Sequence, residues 1–379
     1  MTVRYREKLP ARFLAILFLS VWSAFCVAQT NPRFNVHLSI NYESAERCIG
    51  LYEGLSGNGR SIAPLRGSRI ALGTTADLER RSLTLDELAE ALDAAKFGQV
   101  VQDDVFDLGK ARRNVAAIKT LLGAIRQRNF SQRVVSTVEQ LFPADAAVST
   151  TVPLYFVAFG HRNLDAYVRR IVWYGDTPVF VGEGEGELTI VVNLVNAVHY
   201  GPTVEDQFIG VLSVVAHEVF HAAFGAYKDA SPSWRRYYET HAGYLDELLD
   251  LTQNEGIAHH FTFEQRSRGS LPVDWDERIV AAFDEFNRAA DELLSPHIAP
   301  YRAHEIIARS NTSEYWKSYG AITGMFIART IDRMRGRAAL AATVALGVDE
   351  FFKTYIALSD RDNSLPPLSR SVRQHLENR

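Results

Sequence analysis

The residues best suited to chemistry lie in the segment HEVFH, residues 217–221. On a helix, His217 and His221 stand on one face with Cβ atoms roughly 6 Å apart. Both imidazoles can then approach one metal ion at Zn–N distances of about 2.0–2.1 Å. Glu218 lies one position round the helix, where it can accept a proton from a water that the ion activates. The spacing predicts a hydrolytic centre with one zinc ion.

Two histidines hydrogen-bonded inside a core would give the same pattern, so the prediction needs a third ligand. Hydrolytic zinc sites use three protein ligands and keep one position for water, whereas structural sites usually have four protein ligands. The extended pattern HExxHxxGxxH requires glycine at position 224 and histidine at position 227. This chain has Phe224 and Tyr227 there, so that third ligand is excluded.

A second helical segment, residues 237–263, offers glutamates as the third ligand. Glu255 shares an apolar face with Leu251, whereas Glu247 lies among aspartates on a solvated side. Gly256, beside Glu255, removes a side chain where two helices would approach closely. We therefore predict Glu255 as the third ligand. The alternatives are His259, one turn later and also a candidate partner of a ligand, and His241.

These side chains require a buried helix and a sheet that supports it. Thr203 and Asp206 form a capping pattern, and residues 208–216 contain no helix breaker. The motif helix is apolar on nearly all sides, which is typical of a buried helix. Before it come segments rich in β-branched and aromatic residues, which predict a small sheet within residues 151–195. These segments are 151–159, 177–181 and 187–195, with a glycine turn at 182–187.

Residues 29–148 are predicted to form a mainly helical N-terminal region. Thr84 and Glu87 have the spacing of a capping box before an apolar stripe. Segment 55–73, rich in Gly and Ser, is predicted to be a loop. The fold class is α+β and mostly α, in which the small mixed sheet precedes the motif helix and a helical C-terminal lobe, residues 203–379.

The N-terminus predicts export. Residues 13–28 form an unbroken apolar run that follows four basic residues, as in a secretory signal peptide 1–28 cleaved after Ala28. The run is shorter than the ~20 residues of a membrane-spanning helix. Without residues 1–28 the net charge becomes −7, which argues against nucleic acid and anionic lipid as partners. Cys48 then remains alone and is predicted to be a buried thiol. We expect a periplasmic or extracellular protein without a membrane anchor after cleavage.

HEVFH followed by NEGIA, residues 254–258, resembles the gluzincin metallopeptidases, and is most similar to poorly characterised exported bacterial members. The resemblance covers roughly residues 150–330. It implies a zincin-like metallopeptidase domain over residues 149–379, zinc ligation by the two motif histidines and Glu255, and a peptide or protein substrate. It also implies that an edge strand, here 187–195, pairs with extended peptide.

Two further roles follow from the resemblance. In thermolysin-like members an aspartate one turn after the glutamate orients a ligand histidine. His259 stands at that place here, so we expect Asp246 or Asp250 to take this role. Tyr319, beside Gly320 and Gly324 in a helical segment, is predicted to hydrogen-bond a developing oxyanion, as Tyr or His does in many gluzincins. A tyrosine at the edge of the core is the alternative.

The sequence therefore predicts an exported zinc metallopeptidase with Glu218 as general base. One alternative is a non-catalytic exported binding or scaffold protein that has kept the zincin fold. An intact Glu218 speaks against it, because a purely structural site has no need of a carboxylate there. A second alternative is a zinc hydrolase that acts on a non-peptide substrate.

Overall fold

A five-stranded mixed sheet and the helices around it make up the computed structural model of the chain. The structure describes residues 33–55, 57–99, 103–182, 184–267, 271–312 and 315–378. The predicted signal peptide, residues 1–28, lies outside the described residues. All described residues belong to one compact unit.

The sheet has the strand order β1-β2-β5-β3-β4. β1 pairs in parallel with β2, β2 pairs in parallel with β5, and β3 is antiparallel to both β5 and β4. The predicted small mixed sheet is thus confirmed, and its first strand comes from the N-terminal region. The strands are β1 (Phe34–Asn41), β2 (Val148–Val157), β3 (Ala166–Tyr174), β4 (Thr177–Phe180) and β5 (Glu187–Asn193).

β5 lies inside the sheet and not at its edge. Val191 is paired with Tyr155 of β2 on one side and with Tyr167 of β3 on the other. From Ile190 to Val192 the strand has ladder partners on both sides, so its backbone groups there are not free for an added peptide strand. The prediction that segment 187–195 is an edge strand for substrate is therefore wrong, and the edges of the sheet are β1 and β4.

The segment between β1 and β2 is helical, including most of the predicted loop 55–73, so that prediction is wrong. A Cβ on Gly67 would lie 2.8 Å from Ser44 Oγ, and one on Gly73 would lie 3.0 Å from the Phe180 ring. These glycines therefore serve close helix packing and do not form turns. The helices are α1 (Glu43–Tyr52), α2 (Gly59–Ile62), α3 (Arg66–Glu79), α4 (Leu85–Lys96), α5 (Leu108–Arg113), α6 (Val115–Gln127) and α7 (Phe130–Glu139).

After the sheet the described chain is helical to its end, as predicted. The helices are α8 (Leu194–Ala197), α9 (Val204–Ala230), α10 (Pro232–Thr240), α11 (Tyr244–Ser267), α12 (Trp275–Leu293), α13 (Pro300–Ser310), α14 (Tyr319–Arg335), α15 (Arg337–Leu346), α16 (Val348–Ser359) and α17 (Arg370–Glu377), with a short 3₁₀ turn at Tyr315–Lys317 before α14. Both predicted capping boxes are present. Thr84 caps α4 with Glu87, and Thr203 caps α9 with Asp206.

α9 is the central helix, and it packs against the sheet, α7 and α11. Among the described residues it has the length and apolar composition of a membrane-spanning helix, but 61% of its most apolar window is buried inside the protein. Its apolar faces therefore contact protein, as in a core helix. The rings of Phe220 and Phe224 pack against Phe142, which follows α7, in tilted and edge-to-face orientations. This packing fixes the orientation of the histidine-bearing face.

α11 and α14 cross with their backbones in contact. A Cβ on Gly256 would lie 2.3 Å from the carbonyl carbon of Gly324, and a Cβ on Gly324 would lie 2.0 Å from the carbonyl oxygen of Thr252. Only glycine fits at such a crossing. The crossing holds α11 in place between α14 and α9, so the position of Glu255 opposite α9 is set by packing behind it.

Candidate metal centre

α9 and α11 bring the three predicted ligands together. The Nε2 atoms of His217 and His221 are 3.0 Å apart. Glu255 Oε2 lies 3.5 Å from His217 Nε2, and Glu255 Oε1 lies 3.4 Å from His221 Nε2. The three side chains are 11%, 18% and 12% exposed, respectively, so the group is largely buried but open to solvent on one side.

The distances between these atoms match what a zinc ion requires. Ligands at about 2.0–2.1 Å in tetrahedral directions lie roughly 3.3–3.4 Å from one another. The two nitrogens are 3.0 Å apart, and each lies 3.5 or 3.4 Å from a different oxygen of Glu255, so all three separations are close to that edge length. Two imidazole nitrogens and a carboxylate oxygen are also a donor set that zinc accepts. The residues present therefore fit a zinc ion.

A side chain beside Glu255 orients one of the histidines. Asn254 Oδ1 lies 3.0 Å from His221 Nδ1. Because an amide oxygen only accepts hydrogen bonds, Nδ1 carries a hydrogen and Nε2 is left to face the other ligands. The sequence reasoning missed Asn254, although the NEGIA segment places it next to the predicted ligand.

The aspartates expected to orient a ligand histidine are used elsewhere, so that prediction is wrong. Asp246 Oδ1 accepts a hydrogen bond from His375 at 2.9 Å. Asp250 Oδ1 accepts one from Lys228 at 2.5 Å. Both aspartates lie nearer the start of α11 than Asn254 does, and their partners bind them there.

The two alternative ligands are at different places. His259 Nε2 lies 3.6 Å from Glu255 Oε2, and its ring centroid is 4.4 Å from that of His217. It flanks the group but is not in the set whose ligand atoms all lie within 4.8 Å of one another. His241 stacks on Tyr237 with ring centroids 4.2 Å apart and is not in that set either.

The charges of the two histidines and of Glu255 shift one another's pKa values. Burial would lower the pKa of His221, but the Glu255 carboxylate, with smaller contributions from Glu218 and Asn254, outweighs burial and raises the pKa to about 9. Burial would likewise raise the pKa of Glu255, but the two histidines hold it well below its usual range. The group therefore stabilises a positive charge next to a carboxylate, as a cation site must.

Glu218 lies on the same helix as the two histidines and is half-buried. Its carboxylate is near enough for its charge to raise the pKa of His221. The structure thus places a second carboxylate beside the three candidate ligands but outside the ligand set.

Tyr319 is not brought to this group. Its hydroxyl donates a hydrogen bond of 2.7 Å to the carbonyl of Ile306 in α13, and the side chain is buried. It lines a different cavity of about 590 Å³ with residues that include Arg278 and Trp316. A buried tyrosine hydroxyl needs an acceptor, and this one has found it on α13. We therefore do not assign Tyr319 the oxyanion role.

A helix that carries two histidines four residues apart, with a glutamate from a second helix opposite them, is the metal-binding arrangement of a class of zinc peptidases. Residues 75–364 match the model of the family described as "Putative zinc dependent peptidase (DUF5700)". The match covers well over half of the chain, so the chain belongs to this family. No curated protein and no solved structure matches the chain.

Proposed function

We propose that this chain is an exported zinc metallopeptidase of the gluzincin type. The observation that carries the proposal is the approach of His217 Nε2, His221 Nε2 and the Glu255 carboxylate to within 3.0–3.5 Å of one another. These three residues would hold one zinc ion. The predicted signal peptide, residues 1–28, supports a periplasmic or extracellular location, and a peptide or protein is the proposed substrate.

The chemistry divides between the ion and Glu218. A zinc ion held by three protein ligands polarises a carbonyl and lowers the pKa of water towards ~7. Glu218 accepts the proton of the attacking water and then delivers it to the nitrogen of the leaving amine. Asn254 keeps His221 in the tautomer that directs Nε2 towards the ion. The carboxylate of Glu255 supplies negative charge that offsets the charge of the ion.

Substitution of Glu218 tests this mechanism. In Glu218→Gln we expect zinc content to stay as in the wild type, while hydrolysis of a peptide library falls by about 10²–10⁴-fold, because only the proton acceptor is lost. Glu247→Gln, an exposed glutamate on α11, is the matched control and should keep wild-type turnover. Undiminished peptide cleavage by Glu218→Gln would refute the general-base role.

The same assay distinguishes other functions. Zinc-loaded wild type that cleaves no peptide but hydrolyses small esters or amides would indicate a non-peptide substrate. Zinc-loaded wild type that hydrolyses none of these would indicate a binding or scaffold protein.

A further inference from the structure

A lysine lies buried near the end of the motif helix. Lys228 is 9% exposed, and its Nζ lies 4.3 Å from the ring centroid of Phe224 and 4.5 Å from that of Trp234. Lysine is almost never buried unless it is paired. Aromatic faces attract the ammonium group but do not replace the hydrogen bonds it loses on leaving water. Its position therefore depends on a partner of opposite charge.

The partner is Asp250 on α11. Lys228 Nζ lies 2.5 Å from Asp250 Oδ1, and Asp250 Oδ2 accepts a hydrogen bond of 2.8 Å from the hydroxyl of Tyr238. Both oxygens of the Asp250 carboxylate are thus bound, one by Lys228 of α9 and the other by Tyr238 of α10. The pair joins the two helices that carry the candidate zinc ligands.

The pair is aligned with those ligands along both helices. Lys228 is eleven positions after His217, close to three turns, so the two lie on the same face of α9. Asp250 is one turn before Asn254, which contacts His221. Towards the end of α9, successive contacts reach earlier residues of α11, as antiparallel helices require.

We propose that the Lys228–Asp250 pair is a positioning pair, which sets the register of α11 against α9 and thereby places Asn254 and Glu255 opposite the histidines. The inference rests on the proposed zinc site, since its consequence is the affinity of that site. A shift of α11 by one turn, about 5.4 Å, would bring Asn254 or Asp246 to Lys228 in place of Asp250, and so would either break the ion pair or take Asp246 from His375. That shift is therefore disfavoured before any metal binds.

The known energetics of buried ion pairs support this role over simple stabilisation. Replacement of a buried pair by apolar residues of similar size is often neutral or stabilising, because both charges cost desolvation energy. Fixing one alignment of two helices is the best attested use of such groups. We therefore expect the pair to affect metal affinity more than resistance to unfolding.

The test is the double variant Lys228→Met with Asp250→Leu. We expect its urea unfolding midpoint to stay near that of the wild type, while zinc affinity, measured by chelator competition, falls by roughly 10–100-fold. The matched control is Lys119→Met, which breaks an ion pair of 2.7 Å to Glu53 on the surface. This control should keep wild-type zinc affinity.

The outcomes separate the inference from the proposed function. Wild-type zinc affinity in the folded double variant would overturn the positioning role and leave the proposed function intact. Failure of the wild type to bind zinc would refute both. If the double variant does not fold, Asp250→Asn keeps the shape and the acceptor for Tyr238 but weakens the pair. Weakened zinc affinity in folded Asp250→Asn would support the role, and unchanged affinity would overturn it.

Discussion

Two clusters of histidine and carboxylate side chains share helix α11. In each, three candidate ligand atoms lie within 4.8 Å of one another. The zinc cluster consists of His217, His221 and Glu255, and the arginine cluster consists of His260, Glu264 and Asp332. By ligand types and spacing alone, either cluster could hold a metal ion.

The clusters differ in what already balances their charge. In the arginine cluster, Arg337 donates to Asp332 Oδ2 through Nη2 at 2.5 Å and Nε at 3.0 Å, and lies 3.5 Å from Glu264. In the described part of the chain, the ion-pair partners of Glu255 are three histidines. A guanidinium stays charged and cannot leave. The arginine cluster therefore contains a permanent cation of its own, whereas the zinc cluster is suited to an exchangeable ion.

The clusters also differ in access. The His260 side chain is completely buried, whereas those of His217 and His221 are 11% and 18% exposed. In the arginine cluster only the carboxylates of Glu264 and Asp332 reach solvent, at 38% and 11% exposure, whereas in the zinc cluster both histidines and the glutamate do. Ligand type alone does not identify a metal site, because charge balance and access also decide what the cluster does.

The largest expected effect comes from the helix crossing that both clusters depend on. Gly324→Ala would place a Cβ 2.0 Å from the backbone of Thr252 and push α14 away from α11. We expect a loss of about 3 kcal/mol or more in the free energy of unfolding, together with weaker zinc binding. Urea unfolding and chelator competition measure the two effects.

The control for that substitution is Gly225→Ala on α9, where an added Cβ meets no atom within 4 Å. It should be neutral or stabilising, by up to ~1 kcal/mol, because alanine favours the helix more than glycine does. Equal changes in the free energy of unfolding of Gly324→Ala and Gly225→Ala would show that the helix crossing is not tightly packed.

Asp332→Asn should weaken only the arginine cluster. Burial would raise the pKa of Asp332, but hydrogen bonds from His260 and Arg337 outweigh burial and lower it from 3.8 to about 2. The charged carboxylate therefore stabilises the fold above its ordinary pKa, and this contribution is lost as the pH falls towards 2. At pH 7 we expect a loss of about 1.5–3 kcal/mol in the free energy of unfolding, with zinc content unchanged.

The pH dependence supplies the check for this variant. The difference in urea midpoint between wild type and Asp332→Asn should shrink as the pH falls from 5 to 2. Asp276→Asn, on the exposed side of α12, should have nearly the urea midpoint of the wild type at every pH. A zinc content lowered by Asp332→Asn would contradict the separation of the two clusters.

The smallest expected effect is a gain of weak binding. Arg337→Met removes the internal cation and leaves His260 with two carboxylates, a donor set that accepts divalent metals. With excess zinc we expect a second equivalent per chain, bound more weakly than the first. Arg335→Met, at an exposed position of α14, should bind one equivalent. Binding of one zinc equivalent by both variants would show that Arg337 is not what prevents zinc from binding to the arginine cluster.

Local signals in the sequence predicted the elements near the site well. The Thr203 cap and the apolar faces of α9 depend on residues within a few turns, and both are present in the structure. Glu255 was chosen because it lies on an apolar face beside Gly256, and the structure brings it to the two histidines. Predictions of this kind succeed where nearby residues in the sequence determine whether a side chain is buried.

The features that were missed depend on which helices and strands pack against one another. Segment 166–174 forms β3, but it contains the charged residue Arg169, so its sequence does not show the apolar pattern of a buried strand. In the structure the guanidinium of Arg169 packs over the ring of Phe180. β1 does carry a signal, since Phe34, Val36 and Leu38 alternate with exposed residues. Tyr319 bonds to Ile306 on α13, and Arg337 bonds to Glu264 on α11. The residues around Tyr319 and Arg337 in the sequence do not indicate these contacts.

Zinc content of purified chains tests the central claim most directly. The wild type should contain one zinc per chain, His260→Ala should keep it, and Glu255→Ala should lose it or bind it far more weakly. Retention of zinc with wild-type affinity by Glu255→Ala, or loss of zinc by His260→Ala alone, would contradict the assignment of the metal site to His217, His221 and Glu255.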